Sequence, residues 1–161
     1  MEILAKIKYI FLSIALSLLF VSCGTKKSAL NKQADNYKIA NYAKRYLGTP
    51  YQYGGTSRNG LDCSGLIQLS YSQFGYNMPR TTKQLSKVGK KTKQRKAKVG
   101  DLIFFRTLKR SRKKSHVGLI TLVEGDEIEF IHSSSSRGVI ISSLSNPYWR
   151  KNFAEIRRYI K

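Results

Sequence analysis

The residues best suited to chemistry in this chain are one cysteine, Cys63, and two histidines, His116 and His132. A thiol becomes a peptidase nucleophile when an imidazole takes its proton, a third group orients that imidazole, and nearby donors stabilise the oxyanion. The sequence contains no other histidine, so these two are the candidates for the base and its orienting group. The competing interpretation is structural, since lone cysteines are often inert core residues and most histidines have ordinary surface or core roles.

The same three residues do not predict a metal site. Zinc ligands usually occur in closely spaced pairs along the chain, whereas Cys63, His116 and His132 are widely separated. We therefore expect no metal and no cofactor, so the chemistry has to come from side chains and backbone groups.

Residues 1–22 have the layout of a secretory signal peptide, with Lys6 and Lys8 before an apolar run over 10–21. The end of this segment resembles a bacterial lipoprotein signal, in which the cysteine after a small residue is acylated, here Cys23. Phe20 departs from that pattern, and a membrane-spanning helix or a buried cysteine are the alternatives. Residues 23–35 are polar and predict a tether, followed by one catalytic domain over 36–161. A lipid on Cys23 would leave Cys63 without a disulfide partner.

Helical periodicity comes first in this domain and strand-like runs follow, which favours an α+β fold. Asp62 is a predicted N-cap, so Cys63 lies in the first turn of a helix, where the helix dipole favours a thiolate. We therefore expect a resting thiolate–imidazolium pair. The predicted helices cover 36–47, 61–75 and 82–88, an aromatic loop covers 48–60, and the predicted strands cover 101–105, 117–123, 128–132 and 139–142, with a hairpin turn at Gly125 and Asp126.

The charge of the chain predicts an anionic partner. Lys and Arg number 30 against 9 Asp and Glu, for a formal net charge of +21. Nucleic acid, anionic lipid and acidic wall polymers attract such a surface through the same screened Coulomb interaction, and the export signal disfavours nucleic acid. Two basic loops, 87–98 and 106–114, carry much of the charge; they are either solvated surface or a means of holding the protein on anionic wall material or phosphate-bearing lipids.

Four ordered blocks resemble the NlpC-type papain-like peptidases of bacterial cell walls. They are Gly48–Gly55, Asp62–Leu66, Gly100–Phe105 and Ser115–Ile120, and Phe130–Ser134 follows at a suitable interval. The resemblance covers about residues 36–160. It implies a papain-like α+β fold in which N-terminal helices, one of them carrying the nucleophile, pack on a C-terminal antiparallel sheet of about five strands.

The resemblance also implies roles for single residues. Cys63 attacks the carbonyl carbon, His116 accepts the thiol proton and returns it to the leaving amine, and His132 orients His116. The oxyanion is stabilised by the Tyr51 hydroxyl and the backbone N–H of Cys63. The alternative for Tyr51 is a loop aromatic packed on the core.

Three further positions resemble substrate contacts beside the nucleophile. Asp62 and Ser64 would hold the free amine or an amide of a stem peptide, although helix capping accounts for Asp62 equally well. Arg80 would meet a substrate carboxylate through its two parallel N–H groups, and a solvated arginine is the alternative.

The resulting prediction is a peptidoglycan endopeptidase that hydrolyses an amide bond of the stem peptide or the cross-link. We expect a monomer in the bacterial cell envelope, held on the outer membrane facing the periplasm by lipid on Cys23, with no nucleic-acid partner. The alternatives are a non-catalytic wall-binding lipoprotein of the same fold, a charge-driven nucleic-acid binder, and an enzyme that uses the same pair for amide or acyl transfer.

Overall fold

The structure is a computed structural model that describes residues 23–108 and 110–160, with side chains described from residue 34 onward. The predicted signal peptide, residues 1–22, lies outside the described residues, and so does the side chain of the predicted acylation site Cys23. The chain divides into two compact units, Met1–Lys32 and Gln33–Lys161. In the first unit the described backbone, residues 23–32, is helical.

Helix α1 spans Cys23–Lys44 and so includes the segment predicted to be a tether. Lys, Ala, Leu and Gln form helices without an apolar face, so the missing periodicity of residues 25–35 is compatible with a helix. The role of the segment as a tether stays a prediction. Amphipathic character begins near Asn36, and Ile39 and Ala43 are fully buried. Over the stretches that the structure resolves in detail, no helix is long and apolar enough to cross a membrane.

The predicted nucleophile helix is confirmed as α2, Cys63–Ser72. Asp62 caps it, and its carboxylate accepts a 2.6 Å hydrogen bond from the Gly65 amide. Two very short strands, β1 (Thr56–Ser57) and β2 (Gly60–Leu61), lie in the predicted aromatic loop, and β2 extends one residue beyond its end. Helix α3 spans only Thr82–Leu85, shorter than predicted, and begins with a capping box at Thr81.

The main sheet has six antiparallel strands rather than about five, in the order β3-β8-β4-β5-β6-β7. The four predicted strands are confirmed, with slightly wider bounds for three of them. The two unpredicted strands are β3, which lies in a basic loop, and β8, whose charged residues mask its alternation. The bounds are Lys90–Thr92 for β3, Leu102–Phe105 for β4, His116–Glu124 for β5, Glu127–Ser134 for β6, Gly138–Ser143 for β7 and Phe153–Arg158 for β8.

The core has two parts, one on each face of the sheet. Alternate residues of β4 supply both, since Leu102 and Phe104 belong to one cluster and Ile103 and Phe105 to the other. The first cluster includes residues of α1 and α2. The second includes Trp149 from α4, the helix Pro147–Asn152, which the sequence reading did not predict. Both faces of the sheet are therefore covered, one by α1 and α2 and the other by α4. The catalytic candidates lie at the start of β5, between α2 and α4.

Candidate active site

Cys63 is the first residue of α2 and is held there by contacts from three elements. Its Sγ lies 3.5 Å from Oγ1 of Thr82, the first residue of α3. The backbone amide of Val117 in β5 also hydrogen-bonds to the thiol. Cys63 is a free thiol with partial exposure, so it is both fixed and accessible.

Burial acts against charge on the thiol and on the imidazole. It raises the pKa of the Cys63 thiol, although hydrogen bonds from Thr82 and Val117 stabilise the anion. Burial also lowers the pKa of His116 from 6.5 to about 4. Both shifts run against the expected resting thiolate–imidazolium pair, because desolvation opposes the stabilisation that the helix dipole gives a thiolate. These shifts favour a neutral thiol beside a neutral imidazole, and a neutral imidazole can accept a proton.

The two histidines contact each other directly. Nε2 of His116 lies 3.0 Å from Nδ1 of His132, and Nε2 of His132 lies 2.9 Å from Oγ of Ser142. The register explains this line: Leu119 pairs with Ile131, which places His132 diagonal to His116. In β7 the pairing of His132 with Ile140 makes Ser142 the next diagonal. All three side chains thus lie on one face of the sheet.

Trp149 covers both imidazoles. Its ring stacks on His116 with centroids 5.5 Å apart and an interplanar angle of 24°, and it meets the ring of His132 edge-on at 4.7 Å. Trp149 is buried and His132 is completely inaccessible to solvent. Burial, together with the neighbouring charges of His116 and Arg137, lowers the pKa of His132 to about 3. The role of Trp149 was missed, although Asn146-Pro147 is a recognisable helix start.

Two cavities flank the nucleophile, and Tyr51, Cys63 and Ser115 line both. The first has a volume of about 500 Å³ and is rich in hydroxyl groups; His116 and Trp149 also line it. The second has a volume of about 390 Å³ and includes charged side chains. An extended chain can therefore lie across the thiol with one segment on each side.

Tyr51 lies beside the thiol at the junction of these cavities and is 37% exposed. Burial, and the nearness of Cys63 and Asp62, raise the pKa of the Tyr51 hydroxyl. The hydroxyl therefore stays protonated at neutral pH and remains a hydrogen-bond donor.

Asp62, Ser64 and Arg80 form one polar cluster in the wall of the charged cavity. Arg80 donates two hydrogen bonds to the two oxygens of Asp62, at 2.9 and 2.8 Å, and a third to Ser64 Oγ at 2.9 Å. Burial alone would raise the pKa of Asp62, but hydrogen bonds from Arg80, the Gly65 amide and Ser64 outweigh it and lower the pKa. The expectation that Arg80 meets a substrate carboxylate is not supported, because the Asp62 carboxylate already occupies its fork.

The comparisons with known proteins agree on one family. The sequence profile described as NlpC/P60 family matches residues 48–158. This chain belongs to the NlpC/P60 family. A probable endopeptidase of Haemophilus influenzae is 41% identical over 114 residues, which are 70% of this chain and 68% of the relative. Escherichia coli K12 has a murein DD-endopeptidase/murein LD-carboxypeptidase, MepS, that is 34% identical over 149 residues, covering 85% and 76% of the two chains.

Solved structures support the NlpC/P60 assignment. A family member from Bacillus cereus superposes with a TM-score of 0.70 at 31% identity, covering 78% of this chain and 40% of that one. A Staphylococcus aureus protein described as similar to lipoprotein gives a TM-score of 0.68 at 32% identity, covering 80% and 42%. The predictions of the family, the papain-like α+β fold and the cell-wall endopeptidase class are confirmed. The roles of single residues stay predictions.

Most of the NlpC/P60 site residues named from the sequence meet at one place. Tyr51, Cys63 and His116 line one cavity, with His132 directly behind His116. Besides Trp149, the sequence did not indicate two contacting residues, Thr82 and Ser142. Ser and Thr are common residues, and neither of these two lies in a sequence pattern that indicates a contact with the site. Among the described side chains, those of residues 34–108 and 110–160, no group of three or more Cys, His, Asp or Glu is arranged to hold a metal.

Proposed function

We propose that this peptidoglycan endopeptidase cuts its amide bond with Cys63 as nucleophile and His116 as general base. The observation that carries the proposal is the shared cavity of Cys63 and His116, with Nε2 of His116 tied to His132. Since Nε2 is engaged, Nδ1 is the nitrogen left to take the thiol proton. His132 orients the ring.

The first half of the reaction forms a thioester. As Sγ of Cys63 bonds to the carbonyl carbon, its proton moves to Nδ1 of His116, because neither partner is charged beforehand. The carbonyl oxygen becomes an oxyanion and receives hydrogen bonds from the Tyr51 hydroxyl and the Cys63 amide. His116 then gives the proton to the amine nitrogen as the carbon–nitrogen bond breaks.

The second half restores the enzyme. His116, again neutral, takes a proton from a water molecule that attacks the thioester carbonyl. The tetrahedral intermediate uses the same oxyanion donors. Sγ leaves with the proton from His116 as the product carboxylic acid forms, and the acid then releases its proton to solvent. The low pKa of His116 keeps its ring unprotonated before each half-reaction, so the base is always available near neutral pH.

The charged cavity supports a substrate with a positive group near the scissile bond. The Asp62 carboxylate is ionised and fixed by Arg80, yet it stays in the cavity wall beside Cys63. A free ammonium group of a stem peptide would pair with Asp62 and donate a hydrogen bond to Ser64 Oγ. Arg80 then acts on the substrate through Asp62, by holding the carboxylate in place.

Digestion of purified peptidoglycan by the full-length protein tests the proposal. Mass spectrometry of the soluble muropeptides should show cleaved stems or cross-links with wild type and none with Cys63→Ala. Ser72→Ala, an exposed change on the same helix, is the matched control and should digest like wild type. Equal digestion by Cys63→Ala would support the alternative, a wall-binding protein whose release of fragments comes from a contaminant.

The envelope location is also a proposal. We infer that Cys23 is acylated and holds the protein on the outer membrane as a monomer, facing the periplasm. The signal-like segment 1–22 supports the acylation of Cys23, and so does the Staphylococcus aureus relative described as similar to lipoprotein. Labelled palmitate should enter the wild-type protein and not Cys23→Ala. Membrane fractionation and light scattering of the detergent-solubilised protein would then check location and oligomeric state.

The basic loops are proposed to hold the protein on anionic envelope polymers. A cavity of about 540 Å³ lies along edge strand β3, lined by six basic residues and a threonine: Lys90, Lys91, Thr92, Lys93, Arg95, Lys96 and Arg158. Lys93 and Arg95 also line a neighbouring cavity at the β5–β6 turn. At about 3.3 Å per residue, the nine residues of β5 place that turn some 25 Å from His116. This part of the basic surface, along β3, therefore serves attachment and leaves the cleft free, whereas Thr107 and Leu108 of the second basic loop line the cleft.

A further inference from the structure

Ser142 ends the line of side chains that begins at the catalytic base. It lies on β7 and its Oγ is 2.9 Å from Nε2 of His132. His132 uses its other nitrogen, Nδ1, to contact Nε2 of His116 at 3.0 Å. Each ring nitrogen of His132 thus has one partner, and the protons along the line are coupled.

The function of the base fixes where these protons must be. To accept the Cys63 proton, Nδ1 of His116 has to carry a lone pair, so the proton of the neutral ring lies on Nε2. That N–H donates to Nδ1 of His132, which must then be unprotonated. The neutral His132 ring consequently carries its proton on Nε2, and this N–H needs an acceptor. Oγ of Ser142 is the atom in that position.

The opposite arrangement would disable the base. If Nδ1 of His132 carried the proton, it would donate to Nε2 of His116 and place the proton of that ring on Nδ1. The nitrogen left to Cys63 would then be a donor with no lone pair to offer. The two tautomers of His132 therefore correspond to a competent and an incompetent base.

We propose that Ser142 is a positioning residue, which accepts the Nε2 proton of His132 and thereby selects the tautomer in which His116 is a base. This inference rests on the proposed roles of Cys63 and His116. Ser142 touches no reacting atom; it acts through His132.

The surroundings of His132 make this hydroxyl difficult to replace. His132 is fully buried, with the ring of Phe130 at 5.2 Å and that of Trp149 at 4.7 Å from its own. These aromatic neighbours offer no strong acceptor for an N–H group. Without Ser142 the Nε2 proton would lose its partner, so the competing tautomer would gain population.

Three variants of the full chain test the proposal. Ser142→Ala removes the acceptor, Ser142→Thr restores a hydroxyl with a side chain that suits a strand, and Ser143→Ala is the control. Ser143 is the next residue on β7 and lies on the opposite face, where its hydroxyl bonds to Glu127. Two readouts are needed: steady-state kinetics on muropeptides, and the tautomer of His132 from ¹⁵N chemical shifts of labelled protein.

We expect the wild-type His132 to carry its proton on Nε2. Ser142→Ala should lower kcat about tenfold with KM unchanged, the loss expected for one hydrogen bond, and should shift His132 towards the Nδ1–H form. Ser142→Thr should recover both, and Ser143→Ala should resemble wild type.

Three outcomes would overturn the inference: a wild-type His132 protonated on Nδ1, a kcat loss in Ser142→Ala without a tautomer change, or a tautomer change without a kcat loss. The NMR readout does not depend on activity. A failure of the proposed function, seen as full digestion by Cys63→Ala, is therefore distinguishable from a failure of the role of Ser142.

Discussion

The burial of two neutral histidines predicts a loss of stability in mild acid. Burial lowers the pKa of His116 to about 4 and, with its charged neighbours, that of His132 to about 3, from an ordinary value of 6.5. Below pH 6.5 the unfolded chain therefore binds protons that the folded protein excludes. Stability is fully present above pH 6.5 and is lost as the pH falls towards the folded-state values.

The magnitude follows from the distance between pH 5 and the unfolded pKa. At about 1.36 kcal/mol per pH unit, a drop of about 1.5 units below 6.5 removes about 2 kcal/mol for each ring and about 4 kcal/mol for the pair. Asp62 and Glu155 also have lowered pKa values, but their ordinary values are 3.8 and 4.5. Both values lie below pH 5, so the change in stability between pH 8 and pH 5 reports mainly on the histidines. A typical domain has only about 5–15 kcal/mol to lose.

The assay is urea unfolding at pH 8 and pH 5, followed by the fluorescence of the single tryptophan, Trp149. A double variant, His116→Gln with His132→Gln, has no titrating ring at either position. The wild-type free energy of unfolding should fall by about 4 kcal/mol more than that of the variant between the two pH values. Equal losses in both proteins would refute the reasoning, whatever their absolute stabilities. The same cause predicts that the acid limb of kcat/KM lies near pH 4, well below the ordinary histidine value.

Three further changes have expected outcomes. Tyr51→Phe removes an oxyanion donor and should lower kcat for muropeptide cleavage about 100-fold, with little change in KM. An unchanged kcat would exclude the hydroxyl from the reaction. Gly118→Ala should cost about 1–3 kcal/mol in urea unfolding, because the new methyl would lie 2.6 Å from Cδ2 of buried Phe130; an unchanged midpoint would contradict this packing. The double variant Lys93→Glu, Arg95→Glu should pellet less with isolated sacculi at low salt, and its cleavage of a soluble muropeptide should be unaltered. Pelleting that depends neither on salt nor on the charge reversal would argue against electrostatic attachment.

Local sequence signals accounted for the elements that carry the nucleophile and the base. Asp62 before an apolar stripe predicts the start of α2, and therefore the place of Cys63. Period-two alternation with a Gly125-containing turn predicts β5 and β6, and therefore the strand positions of the two histidines. These features depend on neighbouring residues, which is why the sequence is sufficient for them.

The features that were missed depend on contacts between distant residues. Strand β8 contains the buried residue Glu155. The fold tolerates its buried carboxylate because nitrogen atoms of Lys114 and Arg157 lie 2.6 and 3.2 Å from it. The contact of Ser142 with His132 follows from the register of two hairpins. The protonation state of Cys63 depends on desolvation, which exists only after α2 has packed against the sheet. No local pattern contains this information.

The geometry of the catalytic pair depends on the placement of strand β5. The Val117 amide hydrogen-bonds to the Cys63 thiol, and His116 is the preceding residue, so α2 and β5 are joined at the nucleophile itself. A slip of one residue in the pairing of β5 would turn His116 to the opposite face and break its contact with His132. Close packing opposes such a slip, since Gly118 lies against Phe130 with no room for a side chain. Gly118 therefore helps to hold the register on which the contact between the two histidines depends.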